Sequence, residues 1–342
     1  MNAALLRTFC FLLFLALSCH LAYGQSSYSE AVAKKGDGVY TLLRRHGLDA
    51  SYLSDFLELN KDKLGEANSL YAGRTYLLPF SKTTTAAPIA TAPAEATSLS
   101  NAALFGKTYA RINLKDQKLK GAVYYLLAGH GGPDPGAVGK YGPYQLAEDE
   151  YAYDVTIRLA HVLMEHGATV YMIIQDANDG IRDQSILAMD TDEESYFGER
   201  LPCNQTKRLR QRTNAVNKIY SRHRSAYQRM LAIHVDSRSK SQNIDVFFYH
   251  HENSPEGEKL AKSIHHTFTS KYKRYQPNRE YFGNVSQRSS LYVVKYSTPP
   301  TVFIELGNIR NDLDQRRFVI ANNRQALANW ICDGIIKDYH SR

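Results

Sequence analysis

Cysteine is scarce in this sequence. Four occur in 342 residues, and two of them, Cys10 and Cys19, lie in the N-terminal apolar segment. A disulfide framework is excluded, and Cys203 and Cys332 remain either as one pair or as two free thiols. Long apolar runs are missing as well. The run from Phe9 to Leu17 is too short to span a bilayer, and no later segment is apolar enough to do so. No internal repeat of fixed period is present, which excludes a solenoid or a propeller. Charge is not in excess: 22% of residues are charged and 43% hydrophobic, so a large core can be buried and wholesale disorder is excluded.

What is present begins with "MNAALLRTFCFLLFLALSCHLAYGQSS". Arg7 precedes the apolar run, and Ala22-Tyr23-Gly24 follows it as a small-x-small site. This pattern predicts a secretory signal over residues 1–24 and export to the periplasm or cell envelope. "ALSC", ending at Cys19, offers a lipid anchor as the lesser reading. The net charge of +8 suits an anionic envelope polymer, and export argues against nucleic acid as a partner. Beyond the signal, residues 27–80 form a small segment. "SKTTTAAPIATAPAEATSL" then dominates residues 81–103 as an extended Thr/Ala/Pro-rich linker, and residues 104–342 form the main domain.

The main domain alternates strand-like and helix-like runs. "AVYYLLA" (Ala122–Ala128) is apolar without alternation, as in a strand buried on both faces. A helix is expected from Asp149 to His166, with Val155, Leu159, Val162 and Leu163 as its apolar stripe and Gly167 as its cap. "ATVYMII", "MLAIH", "IDVFFY", "LYVVKY" and "TVFIEL" read as strands. "TKRLRQRTNAVNKIYSRH" and "EGEKLAKSIHHTFTSKY" read as helices, and "DQRRFVIANNRQALANWICDGIIKDY" as one long closing helix. The expectation is an α/β fold with a mostly parallel central sheet flanked by helices.

Ionisable residues fall at particular places on this map. His130 comes two residues after the strand Ala122–Ala128, and His234 and Glu305 end two others. The carboxyl edge is where open α/β sheets build their sites. Glu148 opens the helix after the loop "GHGGPDPGAVG" and can point back over that edge. Two imidazoles and a carboxylate can hold one Zn2+ and leave a position open for water, and a further carboxylate can carry the proton. Gly129, Gly131 and Gly132 allow a tight backbone turn beside such a site. Each residue also has a plainer reading: a hydrogen-bonded core histidine at a strand end, or a helix N-terminal acid favoured by the dipole. The residues alone leave both readings open. The basic stretch Lys207–Arg229 reads as the solvated face of a helix.

At these residues the sequence resembles the zinc-dependent N-acetylmuramoyl-L-alanine amidases of the Amidase_3 family. "GHGGPDPGAVG" resembles the first ligand loop, "LAEDEYAYDVTIRLAHVL" the glutamate-bearing helix, "LAIHVDS" the second-histidine strand and "PPTVFIELGNIRN" the closing strand. The resemblance implies His130, Glu148 and His234 as ligands of one Zn2+ and Glu305 as the catalytic glutamate. The implied reaction is hydrolysis of the amide between N-acetylmuramic acid and L-alanine in peptidoglycan. It further offers Asp236 for orienting a ligand, Arg288 for a substrate carboxylate, and an activator protein as a partner. The sequence departs from the family where Leu127-Ala128 stands in place of Asp-Pro, and where 176–204 runs long. Two other readings compete: a catalytically silent peptidoglycan-binding protein, and a zinc peptidase acting within the stem peptide.

The stretch "AVAKKGDGVYTLLRRHGLDASYLSDFLELNKDKLGEANSLYAGRTYLLPF" resembles a LysM module. The resemblance implies a small βααβ domain over residues 27–80 that binds N-acetylglucosamine-containing glycans, with Gly36, Asp37, Gly38 and the Asn60 region facing the sugar.

Overall fold

The computed structural model describes residues 28–46, 48, 52–65, 68–79 and 104–342. The expected signal (1–24), with Cys19, and the expected linker (81–103) lie outside them. Contacts divide the chain into two units, Met1–Thr85 and Ala86–Arg342, each described here by itself.

In the first unit, β1 (Ser29–Val32), α1 (Val39–Arg45), α2 (Leu53–Leu59) and β2 (Thr75–Leu78) follow in βααβ order. β1 and β2 pair antiparallel, Ser29 opposite Leu78. Every second residue of β2 is buried, and Tyr76 and Leu78 join Leu42, Leu43 and Phe56 in a small core. Gly36 turns the chain at φ 90°, and Asp37 closes that turn by accepting from the Lys34 amide and from Arg45. The Gly38 carbonyl accepts from Leu42 N at the start of α1. Asn60 does not face outward as expected. It is 1% exposed, its Nδ2 donates to the carbonyls of Phe56 and Leu77, and its Oδ1 accepts from Leu77 N. A buried amide must have its hydrogen bonds made, and this one spends them tying α2 to β2.

The second unit is built on six strands: β3 (Ala122–Ala128), β6 (Thr169–Met172), β9 (Tyr227–Asp236), β10 (Phe247–His250), β11 (Val285–Gln287) and β12 (Thr301–Asn308). Their order is β11-β10-β12-β9-β3-β6. β12, β9, β3 and β6 run parallel, whereas β10 is antiparallel to β12, so the sheet is mixed. A hairpin of β4 (Val138–Tyr141) and β5 (Tyr144–Ala147), and a short pair, β7 (Ile174–Gln175) with β8 (Glu194–Ser195), lie outside it.

The unbroken apolar run of β3 has a simple cause. Tyr124 and Leu126 enter one core with residues of α3 (Glu148–Glu165), α5 (Pro255–Tyr275) and α8 (Ala321–His340). Tyr125 and Leu127 enter a second core with residues of α4 (Gln205–Tyr220) and α6 (Tyr292–Tyr296). Both faces of the sheet are dry, so no position calls for a polar residue.

Two expectations about elements are corrected. "LYVVKY" is helix α6, not a strand: Val293 and Val294 pack onto the second core, and a short apolar run does not separate strand from helix by period. The closing segment is two helices, α7 (Asp312–Val319) and α8, broken at the extended Ile320. Asn323 donates to the Arg316 carbonyl and Arg324 to that of Phe318, so side chains satisfy the end of α7. Cys203 is exposed and Cys332 buried, and both are free thiols.

Candidate active site

Adjacency of β3, β9 and β12 decides the site. All three run the same way, so their carboxyl ends form one rim, and Glu305 stands directly beside His234 in register. His130 follows β3 by two residues. α3 starts at Glu148, whose backbone N–H donates to the Ala137 carbonyl while Ala137 N–H donates to Glu148 Oε2. Val235 N–H donates to the other oxygen, Oε1.

The carboxylate thus held lies between two imidazoles. His130 Nε2 is 3.4 Å from Glu148 Oε2, and His234 Nδ1 is 3.0 Å from Oε1. The three residues offer donor atoms that all lie within 4.8 Å of one another. His234 stacks on Phe303 at 4.2 Å between ring centroids, which sets its plane. His130 adopts φ 59°, unusual for a residue with a side chain. Its carbonyl accepts from Arg212, and its Nδ1 lies 3.0 Å from Asp134 Oδ2. Arg208 in turn pairs with Asp134.

Glycine is required at two points for space. A Cβ on Gly129 would enter the His234 ring, and one on Gly136 would lie 2.7 Å from the His130 ring and 2.8 Å from Glu148 Oε2. The loop is folded tightly around the convergent donors.

These residues fit a zinc-type cation. Two imidazole nitrogens and one carboxylate oxygen leave one tetrahedral position open. A carboxylate on the far nitrogen of a ligand histidine, as Asp134 stands to His130, fixes its tautomer and orientation. Glu305 completes the picture, since its Oε2 is buried without a hydrogen-bond partner.

The electrostatics follow from burial and from these contacts. Burial pushes Glu148 up, but the hydrogen bonds from His130 and His234 more than reverse this and hold it well below the usual carboxylate range. Burial lowers His130, yet Asp134 and Glu148 raise it to about 9. For His234 burial prevails over Glu148, and its pKa is lowered. Glu305 is raised well above the usual range, first by burial and then by the charges of Glu148 and Asp236, with His130 and Arg288 pulling the other way.

The remaining expected residues lie nearby. Arg288 is exposed, with its guanidinium 5.1 Å from the Tyr249 ring centroid, and its charge reaches Glu305. The Asp236 carboxylate accepts from Arg238 Nε and from Ser237 N, not from either imidazole. The orienting position on His130 belongs to Asp134, which the sequence reading passed over, although it sits four residues on in the same loop, fixed between Pro133 and Pro135. The stretch Lys207–Arg229 is not uniformly solvated either: Arg208 and Arg212 are buried and serve the His130 loop.

Imidazoles and carboxylates gathered at the carboxyl edge of an open α/β sheet set the class: a hydrolytic enzyme whose site is assembled from strand ends and one helix start. The chain belongs to the Amidase_3 family, N-acetylmuramoyl-L-alanine amidase, whose model matches residues 125–337. A similar curated protein is the germination-specific N-acetylmuramoyl-L-alanine amidase of Bacillus subtilis (strain 168), 24% identical over 223 residues, which are 64% of this chain and 80% of that protein. Two solved structures are also similar. The CwlD amidase from Clostridioides difficile in complex with the GerS lipoprotein has a TM-score of 0.47 and 20% identity, over 64% of this chain and 99% of that one. The N-acetylmuramyl-L-alanine amidase from Mycobacterium smegmatis has a TM-score of 0.48 and 17% identity, over 66% and 99%.

Proposed function

We propose that this amidase is an exported, zinc-dependent enzyme of the cell wall that hydrolyses the amide joining N-acetylmuramic acid to L-alanine. His130, Glu148 and His234 hold one Zn2+, and Glu305 carries the proton. The observation behind this reading is the buried, unpartnered Oε2 of Glu305, in register with His234 and beside three convergent donors. Bound there, Zn2+ acidifies water and polarises a carbonyl.

The rest of the chemistry belongs to side chains of this chain. Glu305 Oε2 accepts a proton from the attacking water as the water oxygen bonds to the amide carbon. The same oxygen then delivers the proton to the departing nitrogen as the C–N bond breaks. Arg288 meets a carboxylate of the stem peptide, a reading supported by its exposure beside Tyr249. Residues 27–80 act as a LysM-like glycan-binding module, a reading supported by their βααβ order. The module keeps the enzyme close to its polymer.

The test is digestion of purified peptidoglycan by residues 25–342, followed by mass spectrometry. Intact stem peptides beginning at L-alanine are expected, lost on chelation and restored by Zn2+. Glu305→Gln is expected to lower the rate at least about 100-fold while zinc per chain stays unchanged. Release of short peptides with the sugar–peptide bond intact would make the enzyme a peptidase instead. Equal inactivity of parent and variant would leave a silent binding protein.

A further inference from the structure

A group of carboxylates outside the His130, Glu148 and His234 set has no role in this chemistry. Asp149 and Glu150 follow Glu148 in the first turn of α3, and Glu193 comes from the long segment 176–204. Each offers a carboxylate oxygen within 4.8 Å of the others. All three are buried, at 2%, 2% and 4% exposure.

The bonding of these carboxylates is incomplete. Glu193 Oε2 accepts from Gly132 N–H at 2.6 Å. Glu150 Oε1 accepts from Asp190 N–H, and its Oε2 pairs with Arg182 at 2.8 Å. Asp149 Oδ1 accepts from Glu150 N–H, but its Oδ2 is buried with no partner. Asp190 Oδ1, on the strand of chain that bonds Glu150, is equally unpartnered. Two guanidiniums stand nearby: Arg182 is shared with Asp179, and Arg212, whose charge reaches Asp149 and Glu193, spends a donor on the His130 carbonyl. Buried carboxylates this close are costly unless something neutralises and ligates them.

We propose that Asp149, Glu150 and Glu193 form a second cation site, built for Ca2+ and distinct from the His130, Glu148 and His234 set. The donors are oxygens only, which selects a hard cation, whereas the imidazole-containing set beside it selects a softer one. Ca2+ is favoured over Mg2+ because it accepts irregular, partly bidentate carboxylate geometry and does not insist on keeping several waters. Each of the three carboxylates brings one oxygen into the group, and the unpartnered Oδ2 of Asp149 then has a cation to bind. Glu193 also accepts from Gly132 in the loop between His130 and Glu148, so the ion braces the 176–204 segment against the loop that carries the first imidazole.

The experiment is calcium titration of the exported chain, already loaded with zinc, by calorimetry and by thermal melting against an EGTA control. One Ca2+ per chain is expected, with a melting temperature that rises as calcium is added. Asp149→Asn and Glu193→Gln should each weaken calcium binding at least tenfold, with zinc per chain unchanged. Terbium bound to the unmutated protein, sensitised by tyrosine and displaced by Ca2+, gives the same answer should either variant fail to fold. Absence of calcium binding up to millimolar concentration overturns the proposal, as do variants that bind like the parent. A parent indifferent to calcium, with Asp149→Asn more stable than it, would show that the carboxylates share a proton instead.

Discussion

At the scale of single residues, His130 is the most constrained group in the site. Its positive φ carries a backbone cost, and it is held by contacts at both ends: Arg212 on its carbonyl and Asp134 on Nδ1. Asp134 is itself held by Arg208 and by the Gly136 amide. The hydrogen bond from His130 pulls the Asp134 carboxyl well below the usual range, against its burial, so it stays ionised as the acceptor of the imidazole N–H. Asp134→Asn keeps the shape and removes the charge. It is expected to weaken zinc binding about 10- to 100-fold, measured by competition with a chromogenic chelator, with the circular dichroism spectrum unchanged.

At the scale of elements, α3 serves both the site and the core. Its first turn carries Glu148, and two turns on Asp154 is fully buried between Arg158 and Arg324 of α8. The same guanidiniums donate to the Arg182 carbonyl, so this cluster anchors the start of the long 176–204 segment. Burial alone would raise Asp154, but the two guanidiniums outweigh it and hold its pKa at about 2. The folded-state pKa lies below the unfolded one. The stabilisation is therefore complete above the ordinary aspartate value of 3.8 and is lost as pH falls through about 2. Asp154→Asn leaves buried Arg324 without its carboxylate and Arg158 with Asp183 alone, and is expected to cost about 3–5 kcal/mol at neutral pH. In urea melts at several pH values, the gap between parent and variant should close as pH drops from 4 toward 2. A gap that stays constant would show that the charge of Asp154 is not what stabilises the fold.

At the scale of the whole molecule, the chain divides between Thr85 and Ala86, inside the Thr/Ala/Pro-rich stretch. A tethered glycan binder, the role proposed for residues 27–80, raises the local concentration of a polymer-bound substrate without changing the chemistry. Residues 104–342 alone should therefore match the longer chain on small soluble muropeptides. On insoluble peptidoglycan they should be about 10- to 100-fold slower, compared by the initial rate of stem-peptide release. Equal rates on both substrates would assign residues 27–80 a structural role.

Local patterns in the sequence determined a good deal of this protein. An unbroken run such as "AVYYLLA" needs both faces buried, and strand-to-helix alternation implies a layered α/β fold, so His130, His234 and Glu305 could be placed at strand ends from sequence alone. Glycines after β3 marked the turn that the site needs. Other features came only from long-range packing. The reversed direction of β10 depends on which edge of the sheet remains free, and the helical state of Tyr292–Tyr296 depends on which core its valines meet. Arg208 and Arg212 read as surface charge until α4 packs against the His130 loop. Glu193 meets Asp149 and Glu150 only because the long segment folds back over the start of α3. Periodicity and motif are properties of neighbours in sequence, whereas a buried charge is defined by what surrounds it in space, and only the tertiary structure supplies that.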